Sequence, residues 1–250
     1  KLKKSKIFYK NLFLPGSKLN FAENLLSKNN RDKAITFISE NGFREEKNWQ
    51  ELNLQVSKIV TFLQRIKIKK NDRVAAYLPN TIETVEAFLG TTSLGAIWSS
   101  CSPDFGTRGL IERFSQINPK ILFIADHYFY NGKKINVLER APQILKKIKS
   151  IKYIVVVSYP GTIESNSKIN TKKVKVYRWN EIKKVKKIKY FKFNFEHPLT
   201  ILYSSGTTGK PKCICHRSGG VLLQHKKEHL LHCDIKENDN VFYFTTCGWM

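Results

Sequence analysis

From residue 49 onward the apolar residues switch between two periods. In WQELNLQVSKIVTFLQRI, Leu52, Val56, Ile59, Val60 and Leu63 recur at helical spacing. NDRVAAYLP predicts a turn and then a strand ended by Pro79. NTIETVEAFLGTTSLG returns to the helical period, with Asn80 or Thr81 as N-cap and Gly95 just past the end. AIWSS predicts a short buried strand, GTRGLIERFSQINP a helix stopped before Pro119, and KILFIAD another strand. INVLERAPQILKKI and KYIVVV repeat the cycle. Strands alternating with helices of this length predict right-handed crossovers and an α/β fold, a mostly parallel sheet flanked by helices. No internal repeat is present.

Residues 158–190 break the rhythm. SYPGTIESNSKINTKK reads as a polar loop, and the lysine-dense stretch after it as solvated surface. Order resumes with HPLTILYSS, a strand leading into YSSGTTGKPK at 203–212. That segment offers backbone N–H groups, small hydroxyls and two ammonium groups within ten positions. A Walker phosphate loop needs four residues between its glycines and a helix directly after its lysine. Here Gly206 and Gly209 are two residues apart, Pro211 follows Lys210, and KCICHR reads as a strand. The next helix begins only near Ser218–Gly219. The prediction for 203–216 is therefore strand, loop, strand. Anion affinity in such a loop comes from turn amides, hydroxyls and lysines, without a helix dipole.

Charge changes the picture in one respect. The 250 residues carry 44 Lys+Arg against 20 Asp+Glu, a net charge of +24, which raises a nucleic-acid-binding module as the alternative class. Lys, Asn and Ile recur along the whole chain, and no RNP, zinc-finger or helix-turn-helix signature accompanies the charge, so no nucleic-acid partner is assigned. No apolar run approaches the roughly 20 residues that span a bilayer, so no membrane partner is assigned either. Five cysteines, odd in number and without scaffold spacing, point to a reducing compartment and a cytoplasmic protein. The chain opens on Lys1 without an apolar signal segment and stops at TTCGWM, which suggests a piece of a longer protein.

Three other patterns carry chemistry. His225, Glu228 and His229 form H-x-x-E-H, with His232 one turn later; histidines four apart share a helix face and could bind zinc. Leu222 shares that face and nothing nominates a distal ligand, so no metal is assigned. Cys213 and Cys215 flank one residue and read as small buried side chains of a strand. Asp104 in SPDFG reads as turn chemistry.

YSSGTTGKPK resembles the phosphate-loop signature of the adenylate-forming enzymes, the family of acyl-CoA synthetases, luciferases and peptide-synthetase adenylation domains. LPGSKLNFAENLL (14–26), NDRVAAYLPNTIETVEAFLG (71–90), GAIWSSCSPDFG onward (95–133) and HRSGG onward (216–250) extend the resemblance to its acetoacetate-activating branch. The resemblance is weakest over 158–195. SSCSPDFG and TTCGWM distinguish that branch from the acetyl- and propionyl-activating enzymes, which stand as the nearer alternative. The resemblance implies an acid–thiol ligase acting on small molecules. A carboxylate attacks the α-phosphorus of ATP, and the thiol of coenzyme A then displaces AMP. It implies that Ser204, Ser205, Gly206, Thr207, Thr208 and Gly209 cradle the ATP phosphates and that Lys212 is the catalytic lysine, with Lys210 at a variable position. Magnesium (Mg2+) would neutralise the pyrophosphate. Thr246, Gly248 and Trp249 would line the acyl pocket. Cys213 stands where the family often has glycine. It also implies a partial adenylation domain: a first α/β unit over 1–197, the start of a phosphate-loop unit over 198–250, and no C-terminal domain.

Overall fold

The computed structural model describes residues 2–7, 10–162, 169, 171, 173–204 and 209–249. Its centre is a seven-stranded sheet of β1 (Arg73–Tyr77), β2 (Ile97–Cys101), β3 (Ile121–Ala125), β4 (Tyr153–Val157), β5 (Lys175–Arg178), β6 (Pro198–Ser204) and β7 (Lys212–Arg217). The spatial order is β5-β4-β3-β1-β2-β6-β7. All neighbours pair parallel except β6 and β7, which form an antiparallel pair at one edge. This is the α/β fold with a mostly parallel sheet that the alternating periods predict.

α1 (Trp49–Arg65) leads into β1, the crossovers are α2 (Ile82–Ser93), α3 (Gly106–Ile117) and α4 (Ala141–Lys147), and α5 (Ser218–Lys227) follows β7. α1 starts where it does because Asn48 and Glu51 form a capping box: each side chain accepts from the other's backbone N–H at 2.9 Å. α2 ends at Gly95, whose φ of +67° suits glycine; a Cβ there would also lie 2.5 Å from the Phe193 ring. α3 stops at Asn118, left-handed at φ +49°, before Pro119, and Arg73 Nε donates to the freed Ile117 carbonyl at 2.7 Å.

Each sheet face buries its own core, so the molecule is a three-layer sandwich. On one face Leu110, Phe114 and Ile144 from α3 and α4 pack on Tyr77, Leu122, Ile124 and Ile154. On the other, Ile59, Phe62 and Leu63 of α1 pack on Val74, Ala76, Phe123 and Val155. Strand residues alternate between the faces, as the pleat requires.

Three features depart from the sequence expectations. The lysine-rich stretch contains β5, a parallel edge strand registered as Tyr153↔Lys175. Lys175 faces water while Tyr177 sets its ring edge-on to Phe62, so the short segment reads as polar in composition and as strand only in context. A hairpin of Lys33–Ile38 and Arg44–Asn48 precedes α1. Cys213 and Cys215 are exposed, not buried, because β7 is the sheet's outer edge.

Candidate functional site

β6 pairs parallel with β2 at Thr200↔Trp98, so both strands end at the same edge of the sheet, together with β1. In open α/β sheets ligands bind outside the carboxyl ends of the strands. Ser204 is the last residue of β6 and stands opposite Lys212, the first of β7. The loop between them thus leaves and re-enters the sheet at the carboxyl edge, and β7 instead of a helix follows it. Ser205, Gly206, Thr207 and Thr208 lie outside the described residues. Gly209 has φ +119°, a backbone that L side chains rarely adopt.

The flanks of the loop are anchored from the parallel sheet. Ser99 Oγ, on β2, donates to the Ile201 carbonyl at 2.8 Å and lies 3.0 Å from the Tyr203 hydroxyl. Burial pushes the Tyr203 phenol up, so it stays neutral. On the far side Gln116 of α3 donates to the Pro211 carbonyl at 2.8 Å. Pro211 is buried while Lys210 and Lys212 on either side of it are exposed. Among the described residues neither lysine forms an ion pair.

Residues 245–249 meet the same edge. Asn80, in the turn between β1 and α2, donates through Nδ2 to the Thr245 carbonyl and accepts at Oδ1 from the Cys247 N–H at 2.8 Å. Ser100 Oγ, near the end of β2, donates to the Cys247 carbonyl at 2.5 Å. A Cβ on Gly248 would stand 2.7 Å from the Ser100 carbonyl oxygen, so the close approach requires glycine. Thr246 is half-buried, and among the described residues its Oγ1 is buried without a hydrogen-bond partner. Trp249 is 67% exposed. The structure therefore brings Ser204, Gly209, Lys212, Thr246 and Gly248 to one edge of one sheet.

The sequence reading missed Asn80, Ser100 and Gln116 as site residues. Asn80 stood only as a helix-cap candidate. Thr81 occupies the N-cap position, without a side-chain cap bond, and the Asn80 amide is turned to residues 245–247. No local pattern signals a bond across 165 positions.

The other chemical candidates lead elsewhere. Asp104 accepts from Ser102 Oγ at 2.5 Å at the start of a short 3₁₀ turn, Pro103–Phe105. Burial pushes the Cys101 thiol up to about 12, which leaves it inert as a nucleophile. α5 continues into a π-helical stretch, Glu228–His232. There Glu228 pairs with Lys227 at 2.9 Å. The rings of His225 and His229 stand 6.3 Å apart. Among the described residues no group of three His, Cys, Asp or Glu side chains could hold a metal ion.

The profile of the AMP-binding enzymes matches residues 23–250. The chain belongs to the AMP-binding enzyme family. Within that family it is 43% identical to acetoacetyl-coenzyme A synthetase of Rhizobium meliloti (strain 1021), over 95% of the chain and 36% of the relative. It is 40% identical to malonamoyl-CoA synthetase vrtB of Penicillium aethiopicum, over 94% of the chain and 34% of that protein. The solved structure of acetoacetyl-CoA synthetase from Streptomyces lividans superposes with a TM-score of 0.87 at 32% identity, covering 96% of the chain and 36% of that structure. The chain spans about a third of the length of these AMP-binding relatives.

Proposed function

We propose that the protein carrying this chain is an acid–thiol ligase that activates a short 3-oxo acid with ATP and passes it to coenzyme A. The observation that carries this reading is the convergence of Ser204, Gly209 and Lys212 with Thr246 and Gly248 at the carboxyl edge of the sheet. The names of the relatives supply the acid: acetoacetate carries a carbonyl, and malonamate an amide, at the same distance from its carboxylate.

The donors this segment carries suit phosphate: the hydroxyls of its serines and threonines, the main-chain N–H groups around its glycines, and an exposed ammonium at Lys212. Magnesium enters as part of the MgATP substrate, held by its phosphate oxygens. Ser204 to Gly209 hold the β- and γ-phosphates, the leaving group of the first step. The acid's carboxylate oxygen bonds to the α-phosphorus as the bond from that phosphorus to the bridging oxygen breaks, and pyrophosphate carries the electron pair away. Such a transfer needs positioning and charge stabilisation more than covalent help. Lys212 opposes the charge that grows on pyrophosphate. In the second step the coenzyme A thiolate attacks the acyl carbon and AMP leaves. The same reading takes 1–197 and 198–250 as parts of one adenylation domain acting in the cytoplasm.

The test is AMP formation by the protein expressed from its whole gene, with ATP, coenzyme A and a panel of short acids. The expected result is AMP release with acetoacetate well above that with acetate or butyrate. No AMP release with any acid, together with tight, salt-sensitive RNA binding, would replace this reading with a basic nucleic-acid-binding module.

A further inference from the structure

We infer that Asn80 is a positioning residue for the acid substrate: its amide clamps residues 245–247 against the carboxyl edge of the sheet, which leaves the Thr246 hydroxyl free for a polar group of the acid. This rests on the proposed ligase activity.

The geometry is that of a two-sided latch. One carboxamide uses its donor on the Thr245 carbonyl and its acceptor on the Cys247 N–H, so both peptide groups flanking Thr246 are fixed by a single side chain. Ser100 takes the next carbonyl from the β2 side, and Gly248 lies against the Ser100 backbone. Asn80 is itself in the turn between β1, whose last four residues are buried, and α2, so the latch is mounted on the rigid centre of the sheet. The latched segment lacks regular secondary structure, and the four residues before it, Val241 to Phe244, are 63–93% exposed. Its own backbone closes one turn, with the Trp249 N–H donating to the Thr246 carbonyl at 3.0 Å; the side chains of Asn80 and Ser100 hold that turn to the sheet.

Between the two latched peptide groups sits Thr246 Oγ1, one of seven side-chain polar atoms that are buried without a hydrogen-bond partner among the described residues, and the one of them that lies in this segment. A buried hydroxyl without a partner costs free energy, and at this edge of the sheet, beside the loop after β6, a bound acid would supply that partner. A hydroxyl can donate to a carbonyl oxygen, the group that distinguishes a 3-oxo acid from a plain short acid. A site built to bond such a group rejects the analogue lacking it, because the buried hydroxyl is then left unpaired. Asn80 acts through the segment and touches no reacting atom.

The experiment uses the whole-gene protein in four forms: unaltered, Asn80→Ala, Asn80→Asp and Thr246→Val. Amide hydrogen exchange over residues 245–247 reads the latch without reference to activity. Asn80→Ala removes both bonds, and exchange there should quicken roughly tenfold; Asn80→Asp keeps an acceptor for Cys247 and should quicken it less. Steady-state kinetics read its use. Asn80→Ala should raise KM for acetoacetate roughly tenfold while KM for ATP stays within about twofold. Thr246→Val should reduce the preference for acetoacetate over butyrate by a similar factor without changing the exchange rates. Unchanged exchange in Asn80→Ala would overturn the latch. Faster exchange with equal changes in both KM values would reduce Asn80 to a structural role and overturn the proposal. An enzyme inactive with every acid would overturn the activity it rests on, and the exchange rates would still decide whether Asn80 holds the segment.

Discussion

The centre of the sheet and its carboxyl rim are held by different forces. β3 is buried along its whole length, between helices on both faces. Phe123 there meets the rings of Trp98 and Trp179 at 6.4 and 6.1 Å. The rim beyond β2 and β6 has an edge strand with exposed cysteines and an apolar run, Val241 to Phe244, facing water. Burial fixes the centre. At the rim single hydrogen bonds do the fixing: Ser99 to Ile201, Gln116 to Pro211, Asn80 and Ser100 to residues 245–247. The site sits where the stable sheet hands its strand ends to segments fixed by those single bonds.

Truncating one phenylalanine in each region gives the largest expected contrast. Phe123→Ala should cost about 3–5 kcal/mol of unfolding free energy in denaturant titration, the range for a buried aromatic. Phe244→Ala, at a residue 93% exposed, should stay within about 0.5 kcal/mol. Similar costs at both positions would mean that the rim is as buried as the centre.

Much of the centre was legible in the sequence, because each strand and helix that forms it carries its own period. Leu52, Val56, Ile59, Val60 and Leu63 line the buried side of α1 at the predicted spacing. β5 was not legible: four residues of mixed character become a strand only when β4 offers its edge. Of the site, YSSGTTGKPK announced itself by composition and its strand–loop–strand setting by Pro211. Asn80 and Ser100 did not, since their roles depend on a chain segment 147 to 167 positions away.

Charge separates the regions a second time. Glu86 of α2 is buried and pairs with Lys47 at 2.9 Å, with the carboxylates of Glu83 and Glu45 also facing the pair. Burial pushes its carboxyl up to about 7, an effect that Lys47 opposes and Glu83 adds to. The unfolded carboxyl titrates near its ordinary value of about 4.3. The folded state therefore holds the extra proton between the two values, and stability from this group is full below about 4.3 and lost as pH rises through about 7. Glu86→Gln should abolish that slope, so its stability relative to the unaltered protein should rise by roughly 2–4 kcal/mol between pH 4.5 and 7.5, at about 1.4 kcal/mol per unit. Unfolding titrations at the two pH values check this. The exposed pair Lys28–Glu237 should show no comparable slope on Glu237→Gln.

A smaller effect belongs to the loop's anchor. Gln116→Ala removes the bond to the Pro211 carbonyl and should cost about 1 kcal/mol, visible as severalfold faster amide exchange at residues 212–214 and unchanged exchange in β3. Equal acceleration in both strands would make centre and rim one cooperative unit.

Two lysines on either side of a buried proline test what the rim does with phosphate. Proline fixes the backbone between them, so Lys210 and Lys212 stand in different environments. The measurement is acetoacetate-dependent exchange of labelled pyrophosphate into ATP by the whole-gene protein and its Lys212→Ala and Lys210→Ala variants. A charge-assisted bond to departing pyrophosphate is worth about 1.5–3 kcal/mol, so Lys212→Ala should slow exchange roughly tenfold to a hundredfold, with KM for ATP rising less. Lys210→Ala should stay within about twofold, as an exposed charge usually does. Equal losses from both variants, or a larger loss at Lys210, would contradict the assignment of Lys212 to the phosphates.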